Sequence, residues 1–314
     1  MRAVLGFDTS CYTTSCAVAF EDGRFDQRRR LLDVPQGQRG LQQSQGVFQH
    51  VGRMPALVEA LMAACEGVEI VGVCASTRPR PVDGSYMPVF TVGEGCARQT
   101  AAALRVPFIA TSHQQGHIRA AMVDTGLTAS DHFLALHLSG GTTEHLHVTP
   151  QGLALIGGSN DLHAGQFIDR VGVRLGLRFP AGPALEALAM KGHSAARLPI
   201  WVRGTEMSLS GSESAAQRMI DAGALPPEDM AAEVFSCVAR SVSKMLSAAA
   251  RQTGEDKILL CGGVSSSSLL RSLLPDRMRR LGEGASLYWG RPDLSGDNAV
   301  GAALIGRDAL GLIG

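Results

Sequence analysis

The sequence carries no excess charge of either sign: 29 Lys and Arg stand against 29 Asp and Glu. A global electrostatic pull on nucleic acid is therefore not available. Basic runs at Arg28, Arg29 and Arg30, at Arg78 and Arg80, and at Arg277, Arg279 and Arg280 read first as solvated faces. No uninterrupted apolar run reaches about 18 residues, so no transmembrane helix is expected. The opening MRAVLGFDTS lacks the long apolar region of a secretory signal, and a cytoplasmic protein with no membrane association is expected. Two Trp, three Tyr and ten Phe in 314 residues are too few for a base-stacking platform. The seven cysteines form no CxxC pair, which argues against thiolate-held zinc and for reduced, mostly buried thiols. There is no GxxxxGK[ST] phosphate loop and no GxSxG elbow, and Gln114 after His113 excludes an HExxH peptidase. What the chain has in quantity is glycine, 37 in all, which predicts tight turns and close backbone approaches.

The periodicity runs twice through one order. Strands are expected at 3–8, 15–20 and 28–33, with a hairpin turn at Glu21-Asp22-Gly23-Arg24. A Gln/Gly-rich loop at 36–46, a helix at 51–65, a strand at 70–76, an irregular loop at 77–88, a helix at 92–104 and a strand at 106–110 follow. Strands at 132–138, 143–149 and 153–158 restart the pattern, then helices at 163–175 and 182–190, a helical insertion at 192–228 and a long helix at 229–251. A strand at 257–261, a helix at 267–274, a strand at 285–289 and a helix at 298–309 complete it. Two copies of β-β-β-α-β-α-β predict an α/β protein of two duplicated ribonuclease H-like lobes, the actin/hexokinase/Hsp70 (ASKHA) type. The expected division is 1–111, joined by a C-terminal helix at 298–314, and 112–297.

Chemistry-bearing residues sit at strand ends. Asp8-Thr9-Ser10 can aim hydroxyls and backbone amides at phosphate, with Asp8 orienting a metal-bound water; an ordinary turn would read the same. Ser139-Gly140-Gly141-Thr142-Thr143, at the equivalent place in the second copy, suits a phosphate-cradling hairpin. Cys261-Gly262-Gly263-Val264, a strand running into glycines and a helix start, suits a nucleoside or anion; the serines 265–268 can equally just cap the helix. His113 and His117, four apart on a helix, share a face and can reach one ion of the zinc, iron, cobalt or nickel kind, with Asp297 adding a carboxylate. Asp169 can hold ribose hydroxyls, although a surface acid fits too. His145 and His147 share one strand face, near phosphates or merely at the surface; His50, His132, His137, His163 and His193 join no constellation.

The order of these motifs resembles the tRNA N6-adenosine threonylcarbamoyltransferase family (TsaD/Gcp-like) over nearly the whole chain. LGFDTSCYTT matches its strand and ETSCDET turn, TSHQQGHIRAA its histidine helix, and LALHLSGGTTE its SGGHT hairpin. AGQFIDRVGVRLGLRFPAGPALEALA, LLLCGGVSSSSLLR and SGDNAVGAAL match its later segments. The resemblance implies metal ligation by His113, His117 and Asp297, with zinc or iron as the ion. It implies phosphate contact at Ser139, Gly140 and Gly141, and a nucleoside framed by Gly165, Asp169, Gly182, Gly262 and Gly263; Thr9, Ser10 and Ser267 are further candidate cofactor contacts read from the residues themselves. The cofactor would be ATP or an acyl-adenylate, the acceptor tRNA, and the partner a related ASKHA-fold subunit or a second copy of the chain. The departures from the pattern are Tyr12-Thr13 for an acidic pair, Thr142 for histidine, Gln166 for glutamate, Asp161-Leu162 for paired aspartates, Ala181 for glycine and Ser267 for asparagine. They identify a divergent, paralogue-like member. The alternatives are a carbamoyl or acyl transferase on another acceptor, and a non-catalytic nucleotide-binding scaffold. A sugar or acetate kinase of the same fold class fits poorly, since the histidine pair has no role in one.

Overall fold

The computed structural model describes residues 1–34, 41–194, 196–282 and 284–312. Positions 36–40 of the expected Gln/Gly-rich loop, and 313–314 of the expected terminal helix, lie outside them. The chain divides into two compact units, Met1–Val123 with Gly296–Gly314, and Asp124–Ser295.

The first half runs β1 (Arg2–Thr9), β2 (Thr13–Phe20), β3 (Phe25–Leu31), α1 (Gln43–Ala64), β4 (Glu69–Arg78), α2 (Phe90–Leu104), β5 (Phe108–Ser112) and α3 (His113–Ala121). Its sheet has the order β3-β2-β1-β4-β5. β1 to β3 pair antiparallel; β4 and β5 join parallel to β1. β1 and β2 are buried on both faces, so they read as apolar runs rather than alternations. β3, with Arg28, Arg29 and Arg30, is a charged edge strand, the usual guard against edge-to-edge pairing. α1 begins eight residues before the expected 51. A capping box between Gln42 and Gln45 starts it, and Gly46 and Gly52 dilute the apolar period that would have announced it.

The second unit continues with β6 (Phe133–Leu138), β7 (Thr143–Thr149), β8 (Gly152–Ser159), α4 (Ala164–Arg174), α5 (Gly182–Ala189), β9 (Trp201–Arg203), β10 (Glu206–Ser208), α6 (Ser210–Asp221), α7 (Pro227–Thr253), β11 (Lys257–Cys261), α8 (Ser268–Arg280) and β12 (Ser286–Trp289). A 3-10 turn at Gly263–Ser266 links β11 to α8. The sheet order is β12-β11-β6-β7-β8-β10-β9. Its first five strands repeat the order and the parallel and antiparallel pairings of the first sheet. The expected helical insertion at 192–228 is corrected: β9 and β10 extend the sheet beyond β8 before α6 forms. Strands of three residues carry too little alternation to be read from sequence. Within α7, Glu233 is fully buried and accepts from Leu198 N at 2.8 Å and from Arg240 at 2.5 Å, pinning the segment that leads into β9.

The chain then returns to the first unit through α9 (Val300–Ala309). α9 lies on β1 and crosses α3 at two glycines. A Cβ at 301 would stand 1.8 Å from the Gly116 carbonyl oxygen. This crossing moves the division between units from the expected position after 111 to Val123, and the return from 298 to Gly296, so α3 and Asp297 belong to the first unit.

Candidate metal centre and glycine cradle

The first-unit site starts with a helix beginning. Ser112 caps α3: its hydroxyl accepts from Gln115 N at 3.2 Å, and Gln115 Oε1 accepts from Ser112 N at 3.1 Å. His113 and His117 therefore project from one face, ring centroids 4.4 Å apart. Asp297 arrives from the segment that leads into α9. His113 Nε2 and His117 Nε2 are 3.0 Å apart, and Asp297 Oδ1 lies 3.5 Å from the first and 3.2 Å from the second. Ligand atoms about 2.0–2.2 Å from one tetrahedral ion are spaced at about 3.3 Å, which is this triangle. One shared proton cannot satisfy all three edges, whereas a cation inside the triangle satisfies every one. The three side chains fit a divalent ion.

The residues behind the triangle fix its ligands. Asp8 Oδ2 lies 2.8 Å from His113 Nδ1, so the carboxylate holds a proton there and leaves the Nε2 lone pair for an ion. Ser10 Oγ donates to Asp297 Oδ2 at 2.5 Å. Burial disfavours a charged His113, yet the Asp8 and Asp297 carboxylates outweigh it and hold its pKa well above the ordinary value. Burial likewise opposes a charged Asp297, but His113 and His117 pull its pKa well below the usual carboxylate range.

The side chains of the Asp8-Thr9-Ser10 turn, where phosphate contact is expected, also make contacts within the protein. Asp8, expected to orient a metal-bound water, lies against His113 Nδ1 and orients that ring. Thr9 Oγ1 donates to Val89 O at 2.8 Å and accepts from Gly93 N at 3.1 Å, which commits it to α2. Ser10 serves Asp297. One supporting residue escaped the sequence reading: buried His50 lies 2.9 Å from Ser10 O and 2.8 Å from Thr14 Oγ1. A carbonyl can only accept, so Nε2 carries the proton; burial lowers the ring's pKa and keeps it neutral. A single histidine on an amphipathic helix gives no sequence signal for this role.

The second-unit glycines converge. In the turn after β6, Ser139 N donates to Thr142 O at 2.8 Å. α4 packs onto that turn at Gly165, where a Cβ would stand 2.6 Å from Gly140 Cα. From the other side comes the turn after β11. Gly262, at a φ of 89°, lies so close that a Cβ would stand 2.3 Å from Leu138 O. Gly140, Gly141 and Gly263 themselves border open space, with nothing within 4 Å of a Cβ position. Their backbone is accessible to a ligand at close range.

Two expected nucleoside contacts also hold helix starts. Asp169 Oδ1 accepts from Ala181 N at 2.7 Å and Gly182 N at 3.2 Å, holding the start of α5 through that one oxygen. Ser267 Oγ accepts from Leu270 N at 3.2 Å as the cap of α8. Asp161 gathers Leu209 N at 3.0 Å and Ser208 Oγ at 2.5 Å where β10 meets α6. Gln166, the neutral residue, closes the α4 cap by accepting from His163 N at 3.2 Å.

The seven cysteines are free. Burial pushes the thiols of Cys16, Cys74 and Cys261 up to about 12, so none of these three is a nucleophile at neutral pH. Among the described residues, no helix is long and apolar enough to cross a membrane.

The repeated sheet order and the two ligand-ready regions define a class, the α/β proteins built of two ribonuclease H-like units of the ASKHA type. Solved structures agree on that fold. The structure of T. kodakarensis HypF superposes with a TM-score of 0.65 at 15% identity, covering 99% of this chain and 49% of that one. A ROK hexokinase from Thermus thermophilus gives 0.53 at 17% identity, covering 98% and 99%. The chain belongs to the tRNA N6-adenosine threonylcarbamoyltransferase family, whose pattern matches residues 41–304. It is 31% identical to a tRNA N6-adenosine threonylcarbamoyltransferase of Thermus thermophilus over 97% of this chain and 91% of that protein. It is 28% identical to a probable bifunctional tRNA threonylcarbamoyladenosine biosynthesis protein of Methanothermobacter thermautotrophicus, of which it spans 55%.

Proposed function

We propose that the chain is a metal-dependent transferase that moves a threonylcarbamoyl group from its adenylate to N6 of an adenosine in tRNA. The observation that supports this most is the triangle of His113 Nε2, His117 Nε2 and Asp297 Oδ1 in a member of this family. ATP or the acyl-adenylate is the nucleotide, and zinc or iron is the ion, since imidazole and carboxylate suit both. A bound divalent ion supplies Lewis acidity, polarising a carbonyl or phosphoryl oxygen. Asp8 fixes the His113 tautomer and Ser10 fixes Asp297, so these ligands need little rearrangement to bind. The open backbone at Gly140, Gly141 and Gly263 admits phosphate or ribose at close range. In the transfer, the adenosine amine forms a bond to the carbamoyl carbon, the carbon–oxygen bond to the adenylate phosphate breaks, AMP departs and the amine's proton passes to solvent. No covalent intermediate on the protein is required.

Exposed Phe48 and Val51 on α1 favour pairing of this unit with a related subunit or a second copy. A second reading, transfer to a different acceptor, rests on Tyr12, Thr142 and Gln166 standing where the family pattern has ionisable groups. Both readings are tested by mixing the protein with unmodified tRNA, threonine, bicarbonate, ATP and the adenylate-forming synthase. Threonylcarbamoyladenosine in the digested tRNA, absent with His117→Ala, is the expected result. AMP release that depends on His117 but leaves tRNA unmodified selects the other acceptor. No His117-dependent consumption of the adenylate in either case overturns both.

A further inference from the structure

The second unit holds another convergence of metal-binding side chains, and the transferase proposal does not use it. His132 stands just ahead of β6, His147 lies on β7, and Glu255 follows the left-handed Gly254 that ends α7. β6 and β7 pair with Leu134 opposite His147, which brings His132 and His147 to the same end of the hairpin. Glu255 Oε1 lies 2.9 Å from His147 Nε2 and 3.9 Å from His132 Nδ1, and one ligand atom from each residue falls within 4.8 Å of the others.

A plain imidazole–carboxylate hydrogen bond accounts for the first distance. The second is too long for a hydrogen bond, yet it brings another ring nitrogen near the same oxygen. Ligands about 2.0–2.2 Å from one tetrahedral ion are about 3.3 Å apart, between the two observed spacings. The neighbouring cation is already committed: Lys257 donates to Asp131 at 2.5 Å. His147 and Glu255 are mostly sheltered, with side chains 27% and 18% exposed, while His132 at 54% leaves an entry path and room for water as a fourth ligand. The glycine turn is at the other end of β6, about 20 Å away by strand rise, so this group is no part of the cradle.

We propose that His132, His147 and Glu255 form a second site for a divalent transition metal of the zinc class. The ion ties the start of β6 and the end of β7 to the turn between α7 and β11. Two imidazoles and one carboxylate select zinc, cobalt or nickel over calcium and magnesium, which prefer an all-oxygen shell.

The test is a zinc titration of the full chain against a chelating dye, with thermal melting in parallel. Wild type is expected to hold two equivalents. His117→Ala, which empties the first site, keeps one, and zinc raises its melting temperature. Adding Glu255→Gln, a substitution of equal size, lowers the remaining affinity at least tenfold and removes the zinc-dependent shift; His147→Ala does the same. A protein that loses all zinc with His117→Ala, or whose remaining equivalent survives both Glu255→Gln and His147→Ala, overturns the proposal. If wild type holds one equivalent that His117→Ala keeps and Glu255→Gln loses, this site stands and the first falls.

Discussion

At the scale of single residues, Asp8 is the most informative position. It touches no ligand atom of the triangle directly, yet it decides which nitrogen of His113 carries the proton. Asp8→Asn is expected to leave the fold intact and weaken metal binding roughly ten- to a hundredfold, as losses of such partners do. A dye-competition titration reads this out. The same logic sets a pH dependence. His113 is held protonated to higher pH than a free histidine, and an ion must displace that proton. Metal affinity is therefore expected to rise with pH, and calorimetry in two buffers of different ionisation enthalpy should register a released proton. His145 behaves oppositely. It is fully buried, neither ring nitrogen has a hydrogen-bond partner among the described residues, and burial lowers its pKa from 6.5 to about 4. The unfolded chain binds this proton below pH 6.5 and the folded chain does not. Stability should thus fall as pH drops from about 6.5 to 4, by up to about 3 kcal/mol from this group. His145→Phe should flatten that part of the profile in urea melts. The histidine pair was legible from sequence because a spacing of four on a helix has one geometric meaning. His132 and Glu255 were not, because they stand 123 positions apart and neither belongs to a spaced motif.

At the scale of elements, the first-unit site depends on the crossing of α3 and α9. His117 sits one residue after Gly116, and Asp297 three before Val300, so any separation of the helices moves ligands apart. Gly301→Ala puts a methyl group into the Gly116 carbonyl. It should cost about 1–3 kcal/mol or more and reduce metal stoichiometry in the same preparation. Within α7, Glu233→Ala removes the buried carboxylate that receives Arg240 and Leu198 N, and should cost about 3–5 kcal/mol by taking the partner from a partly buried guanidinium and a buried amide. Differential scanning calorimetry checks both. Most elements follow from the sequence because fully buried strands such as β1 and β6 announce themselves as apolar runs, while α3 entered only through its histidine spacing. The exceptions are α1, diluted by glycines, and β9 and β10, whose pairing partners rather than their own residues make them strands.

At the scale of the whole molecule, duplication explains why two strand-end turns that look alike do different work. Asp8-Thr9-Ser10 turned inward to brace His113, Asp297 and α2, whereas Ser139-Gly140-Gly141 kept an open backbone. Motif letters could not separate these outcomes, since Thr9 and Ser10 are turned inward by partners far along the chain, Val89 and Asp297. Placing one catalytic ion on His113, His117 and Asp297 is tested most directly by anomalous diffraction at the metal's absorption edge, from crystals of the full chain grown with zinc or iron. The expected result is a peak about 2.0–2.2 Å from His113 Nε2, His117 Nε2 and Asp297 Oδ1 together. A map with no peak inside that triangle, from protein that retains metal elsewhere, would contradict it.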